Sequence, residues 1–160
     1  MSILSEIRTV YELPLMDLMF RAQSCHRQHH DPADIQRCAL LSIKTGACPE
    51  DCGYCAQSAH FKTPLAAEAL KSVEDVATQA RRAKELGASR FCMGAAWRAA
   101  PQGKQFDLVL EMVRTVRSLG MEACVTLGML TDDQASRLKE AGLTAYNHNL
   151  DTSRRHYPNI

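Results

Sequence analysis

Residues 72–94 read SVEDVATQARRAKELGASRFCMG, and the signals in them follow one another in the order of a helix-to-strand unit. Ser72 with Asp75 three residues on forms a capping box, which predicts a helix over residues 73–86 that stops at Gly87. A short apolar run, Arg90 to Gly94, then predicts a strand. The same order recurs downstream. A helix over residues 106–119 ends at Gly120 and feeds a strand at residues 122–127. Thr131 and Gln134 cap a third helix that ends at Gly142, ahead of a strand expected at residues 144–150.

Upstream, Cys38 to Ile43 has strand character and is followed by a cysteine-rich loop, so the alternation holds through four strand units. Alternating strands and helices predict an α/β fold with a parallel sheet and right-handed crossovers. Two helices are expected before it, one near residues 3–12 and one opened by Pro14 in its first turn and running to about His29. The expected organisation is therefore residues 1–36 as a helical extension and residues 37–160 as a strand-helix core. Four such units are half of a (β/α)8 barrel of TIM type, whose complete form needs roughly 250 residues. The chain has 160, so the expectation is either the N-terminal half of a barrel or an open sheet complete in itself. A cut barrel would expose unpaired sheet edges and favour association.

Composition narrows the function. Nineteen Lys and Arg against eighteen Asp and Glu give a net charge of +1, with no basic stripe of the kind that phosphate backbones require, which speaks against nucleic acid. No run of about 18 apolar residues occurs, and Glu6 and Arg8 interrupt any leader-like apolar core, so a cytoplasmic protein is expected. Seven cysteines cannot all pair within one chain, and in a reducing compartment clustered thiols point to metal or redox chemistry.

Three of those cysteines, Cys48, Cys52 and Cys55, form a C-x3-C-x2-C array in the loop after the first strand. A structural zinc site wants a fourth protein ligand that this spacing does not offer. Three thiolates can instead hold a cubane iron-sulfur cluster and leave one iron open to another ligand. A zinc module and a loop of unrelated thiols are the alternatives. Cys92 and Cys124 lie mid-strand on consecutive strands, where side-chain alternation lets both face one interior if their registers agree; a buried strand Cys is otherwise a small hydrophobe. Asn147, Asn149 and Asp151 recur with period two where a buried strand would be apolar, which suggests hydrogen bonding to a polar ligand or, equally, capping of a following element. His26, His29 and His30 cluster at a helix end, where terminal carbonyls are their ordinary partners. Cys38 and Arg90 could line the same interior as Cys92.

The array resembles that of the radical S-adenosylmethionine (AdoMet) superfamily. Its flanks, Leu40-Leu-Ser-Ile-Lys-Thr-Gly-Ala before Cys48 and Ala56-Gln-Ser after Cys55, are similar to the biotin synthase family within it. So are Arg90-Phe-Cys-Met-Gly-Ala-Ala-Trp97, Glu122-Ala-Cys-Val-Thr-Leu-Gly128 and Tyr146-Asn-His-Asn-Leu-Asp-Thr152, in order. The resemblance implies a 4Fe–4S cluster on Cys48, Cys52 and Cys55, with AdoMet on the open iron and Tyr54 near its adenine. It implies a 2Fe–2S cluster on Cys92 and Cys124, with further ligands outside this chain. Asn149 and Asp151 would bind AdoMet, and Asn147 and Asn149 the ureido ring of dethiobiotin. Gly94-Ala-Ala stands where many members carry a Gly-Gly-Glu-like segment, which leaves that contact to backbone. The implied reaction is sulfur insertion converting dethiobiotin to biotin, with an electron donor such as flavodoxin and a homodimer at full length. A catalytically silent cluster-binding fragment and another enzyme of the same subgroup are the rival readings.

Overall fold

The structure is a computed structural model that describes residues 2–159; Met1 and Ile160 lie outside the described residues. The chain forms two compact units, Met1–Ile35 and Gln36–Ile160.

The first unit holds α1 (Ile3–Tyr11) and α2 (Leu15–His29). Ser2 caps α1 by accepting from the Ser5 amide. Pro14 occupies the cap position of α2 rather than its first turn, because its extended ψ precedes the helix. Among the described residues neither helix buries any side chain.

The second unit runs β1 (Cys38–Lys44), α3 (Val73–Glu85), β2 (Arg90–Ala95), α4 (Lys104–Ser118), β3 (Glu122–Thr126), α5 (Asp132–Glu140) and β4 (Ala145–Tyr146). All neighbouring strands are parallel, in the order β1-β2-β3-β4. This is the α/β alternation expected for part of a TIM-type barrel.

Local chemistry explains the helix ends. Ser72 and Asp75, and Thr131 and Gln134, make both bonds of a capping box. At the far ends Gly87 and Gly142 lie at φ +87° and +91°. There Gly87 N–H donates to Lys84 O and Ala88 N–H to Ala83 O, and the same pair of bonds closes α5 from Gly142 and Leu143. That is the Schellman pattern, which satisfies carbonyls the helix leaves over.

The core lies between the helices and one face of the sheet. Helix α3 contributes Val76, Ala80 and Ala83, and α4 contributes Phe106, Val109, Val113 and Val116, at the spacing of one helical face. They meet Ile43, Phe91, Met93, Ala123, Val125 and Leu127 from alternate strand positions. The other strand face, carrying Leu40, Cys92 and Cys124, is thereby turned away from this core.

Gln134 is the largest polar side chain in that core, at 1% exposure. Its Nε2 donates to Ala100 O and Pro101 O, and its Oε1 accepts from Thr131 N–H. Gln134→Leu removes all of these and strands two carbonyls, so a loss of about 2 kcal/mol is expected in urea unfolding. Unchanged stability would mean that water replaces the amide.

The fourth strand is shorter than the sequence pattern suggests. Residues 144–150 were expected in it, but the ladder stops after Ala145–Tyr146, with only Asn147 N–H reaching Val125 O beyond it. A strand persists only where a neighbour accepts its bonds, and β3 ends at Thr126. The Tyr146 hydroxyl then accepts from Leu127 N–H and donates to Gly128 O, closing the sheet at that point.

Candidate functional site

The cysteine loop leaves β1 through Gly46 and Ala47, both in left-handed conformation, at φ +69° and +50°. It returns on itself: Cys48 N–H donates to Gln57 O at 2.9 Å and Ala59 N–H to Cys48 O at 2.8 Å. Inside this clasp Cys55 N–H donates to Cys52 O at 2.9 Å, and Ser58 N–H to Cys55 O at 3.3 Å. Gln57 Oε1 also accepts from Gly46 N–H, and the buried Ser58 hydroxyl donates to Glu50 O. Gln57 and Ser58 thus hold the loop. Their place in the sequence, two and three residues after the third cysteine, was the one available signal for that role.

Cys48, Cys52 and Cys55 are free thiols, all half-buried, at the C-terminal end of a parallel sheet, where α/β folds bind ligands. Burial pushes the Cys52 thiol up, helped by the nearby charges of Asp151, Glu50 and Cys55. A metal that takes this sulfur as thiolate must displace its proton. Among the described residues no group of three His, Cys, Asp or Glu side chains forms a single-ion site. A cubane asks for a different arrangement, one thiolate on each of its irons, and three free thiols on one short loop are donors of the right number and softness.

Two clefts flank the loop. One, of about 380 Å³, is lined by Cys48, Cys55, Gln57, Trp97, Thr126 and Asn147 among others. The other, of about 580 Å³, is lined by Cys52, Tyr54, Arg98, Glu50, Asp151 and Tyr157 among others. Asn147 and Asp151 therefore reach the loop, one in each cleft, while Asn149 lines neither. All three polar residues are exposed and follow β4 rather than alternate along it. The expected single polar strand face is not formed, because the strand ends at Tyr146.

In the second cleft the Tyr54 hydroxyl donates to Asp151 Oδ1. That hydrogen bond, followed by burial and the Asp151 charge, pushes the Tyr54 phenol up to about 12. Asp151 itself sits at φ +62°, an uncommon conformation for any residue but Gly, Asn or Asp. Arg98 pairs with Glu50 at 2.9 Å across the same cleft.

Cys92 and Cys124 are directly opposed in the β2–β3 register, so their registers do agree. Burial pushes the Cys92 thiol up to about 11, with its hydrogen bond to Cys124 adding to the shift. Two pairs along the ladder, Arg90 and Glu122 are also in register and form an ion pair at 2.6 Å, to which Gln36 adds a bond from Nε2 to Glu122 Oε2. Arg90 and Gln36 together lower the Glu122 carboxyl. In the first unit His26 and His30 stack at 5.4 Å between ring centroids.

Curated proteins named biotin synthase match almost the whole chain. That of Methylobacterium radiotolerans is 65% identical over 157 residues, covering 98% of this chain and 47% of its own length. Those of Myxococcus xanthus and Zymomonas mobilis are 62% and 60% identical over 157 residues, each covering 98% of this chain and 45% and 47% of their own lengths. The chain thus spans about half the length of the curated relatives it matches. Among the described residues no helix is long and apolar enough to cross a membrane. The family model described as the Radical SAM superfamily matches residues 42–160, from within β1 through the cysteine loop and the rest of the sheet, and the chain belongs to that superfamily.

Proposed function

We propose that this chain is the N-terminal part of a biotin synthase, with residues 1–36 as a helical extension and residues 37–160 as the radical SAM core. The reaction is sulfur insertion into dethiobiotin. The observation that carries the reading is the placement of Cys48, Cys52 and Cys55 on one clasped loop at the C-terminal end of β1, in a chain 65% identical to a protein of that name.

Cys48, Cys52 and Cys55 would hold a 4Fe–4S cluster, with AdoMet bound beside it. When bound, that pair supplies the one-electron chemistry that removes hydrogen from unactivated carbon. The protein's own part is placement. Tyr54 and Asp151, tied to each other, line the cleft beside Cys52 and orient AdoMet; Asn149 joins them on the same segment. Asn147, which lines the first cleft with Cys48 and Cys55, and Asn149 bind the ureido group of dethiobiotin. Cys92 and Cys124, opposed across the ladder, supply two ligands of a 2Fe–2S cluster. Positioning of this kind matters because a carbon radical attacks whatever lies nearest. A one-electron donor of the flavodoxin type, a homodimeric full-length assembly and a cytoplasmic location complete the proposal.

A second reading is favoured by the exposure of Asn147, Asn149 and Asp151: a chain that binds the cluster and AdoMet without turning over dethiobiotin. One experiment separates the two. The chain is reconstituted anaerobically with iron and sulfide, then assayed with reductant, AdoMet and dethiobiotin for 5'-deoxyadenosine and biotin. Both products support sulfur insertion by this chain alone, and deoxyadenosine alone supports the second reading. A colourless protein with one zinc would overturn both.

A further inference from the structure

We propose that Lys44 is the positioning residue of the cysteine loop, and that its ammonium is the counter-charge for the anionic group held there. The inference rests on the cluster reading above and extends it to a residue with no role assigned so far.

Three observations lead to it. The first is location. The β1–β2 ladder slips between Ser42 and Lys44, which places Lys44 opposite Ala95 at the last rung before the loop. The second is connectivity. Lys44 Nζ donates to Gly46 O, at the start of the loop, and to Ala96 O at 3.1 Å, while Ala96 N–H donates back to Lys44 O at 2.9 Å. One side chain therefore ties the entry of the cysteine loop to the segment that follows β2. Ala96 and Cys48 line the same cleft, so this tie joins two segments that border it.

The third observation is charge. Lys44 is half-buried and bonds only to neutral carbonyls. Among the described residues it forms no ion pair. Glu50, the acidic residue just past Cys48, is already taken by Arg98. A partly buried ammonium without an anion is costly to keep, and flexible lysines elsewhere on a surface simply turn to water. Here the carbonyls hold it at the base of a loop that becomes anionic when its three thiols lose their protons to metal. The ammonium is in place before that charge arrives, so little has to reorganise on loading.

The test uses the full chain and two substitutions, with readouts separate from turnover. Lys44→Gln keeps a donor and loses the charge; Lys44→Arg keeps the charge. After anaerobic reconstitution, iron and sulfide retained through desalting are measured, and the cluster's midpoint potential is read by reductive titration. Lys44→Gln is expected to retain several-fold less cluster, and the remainder to titrate at a more negative potential; Lys44→Arg is expected to recover the wild-type potential. A second measurement needs no variant: acylation of Lys44 by an amine reagent, read by mass spectrometry, is expected to slow when the cluster is loaded. Wild-type iron content and potential in Lys44→Gln would overturn the assignment, as would a lowered melting temperature with both unchanged. Equal acylation of loaded and metal-free chain would also overturn it. A wild-type chain that takes up no cluster at all would remove the reading on which it rests.

Discussion

Replacement of Cys52 by Ala is expected to abolish retention of iron and sulfide after anaerobic reconstitution, with loss of the brown cluster absorbance. On the proposed reading three thiolates would be the protein's whole hold on the cluster, so removing one would leave two, and the chelate would no longer close. The effect is expected on the metal and not on the fold. Cys52 is a half-buried thiol in a loop held by the backbone of Cys48, Gln57 and Ala59. The metal-free variant should therefore unfold within about 0.5 kcal/mol of wild type. Cys25→Ala, an exposed thiol in the first unit, is the matched control and should retain full iron content. If Cys52→Ala bound as much iron and sulfide as wild type, the three-cysteine site would be wrong.

The largest expected effect on stability lies at Gly128. This residue sits at φ +78°, and a Cβ there would come within 2.3 Å of Arg98 O and 2.5 Å of Trp97 O. Both obstacles are backbone, and that backbone is fixed: Met129 N–H donates to Arg98 O at 2.9 Å and Ala100 N–H to Met129 O at 3.0 Å. The left-handed conformation alone costs an alanine about 1 kcal/mol, and the clash adds about 2 more. Gly128→Ala should thus lose about 3 kcal/mol, a fall of roughly 6–12 °C in melting temperature for a chain of this size. Gly53→Ala, where an added Cβ meets nothing within 4 Å, should melt within a degree or two of wild type. Equal melting of the two variants would show that the segments after β2 and β3 give way easily.

The contrast between those two glycines shows where a sequence is informative. Helix starts and ends were legible because their signals are local: Ser72 and Thr131 find their partners three residues away, and both capping boxes form. The cysteine spacing was legible for the same reason, since donors on one short loop need no distant partner to be recognised. For Cys92 and Cys124 alternation allowed a shared face only if the strand registers agreed, and the ladder supplies that register. Residues 147–151 misled because alternation of polar residues mimics a strand, whereas a strand depends on a neighbour that β3 does not provide past Thr126. The contacts that shape the clefts, Tyr54 with Asp151, Lys44 with Ala96 and Arg98 with Glu50, span 97, 52 and 48 residues. Nothing periodic marks such partners in the chain, so they appear only when the sheet brings them together.

The short fourth strand has a consequence for how that edge is held. With so few rungs, a parallel ladder is free to slip by one residue and reverse which side chains face inward. The Tyr146 ring sets the registration instead, its hydroxyl bridging Leu127 N–H and Gly128 O on the neighbouring strand's exit. The alignment of β4, and with it the starting point of the Asn147–Asp151 segment, is therefore indexed by a phenol, in the manner of a latch pin, alongside the bonds from Thr144 N–H to Ala123 O and from Asn147 N–H to Val125 O.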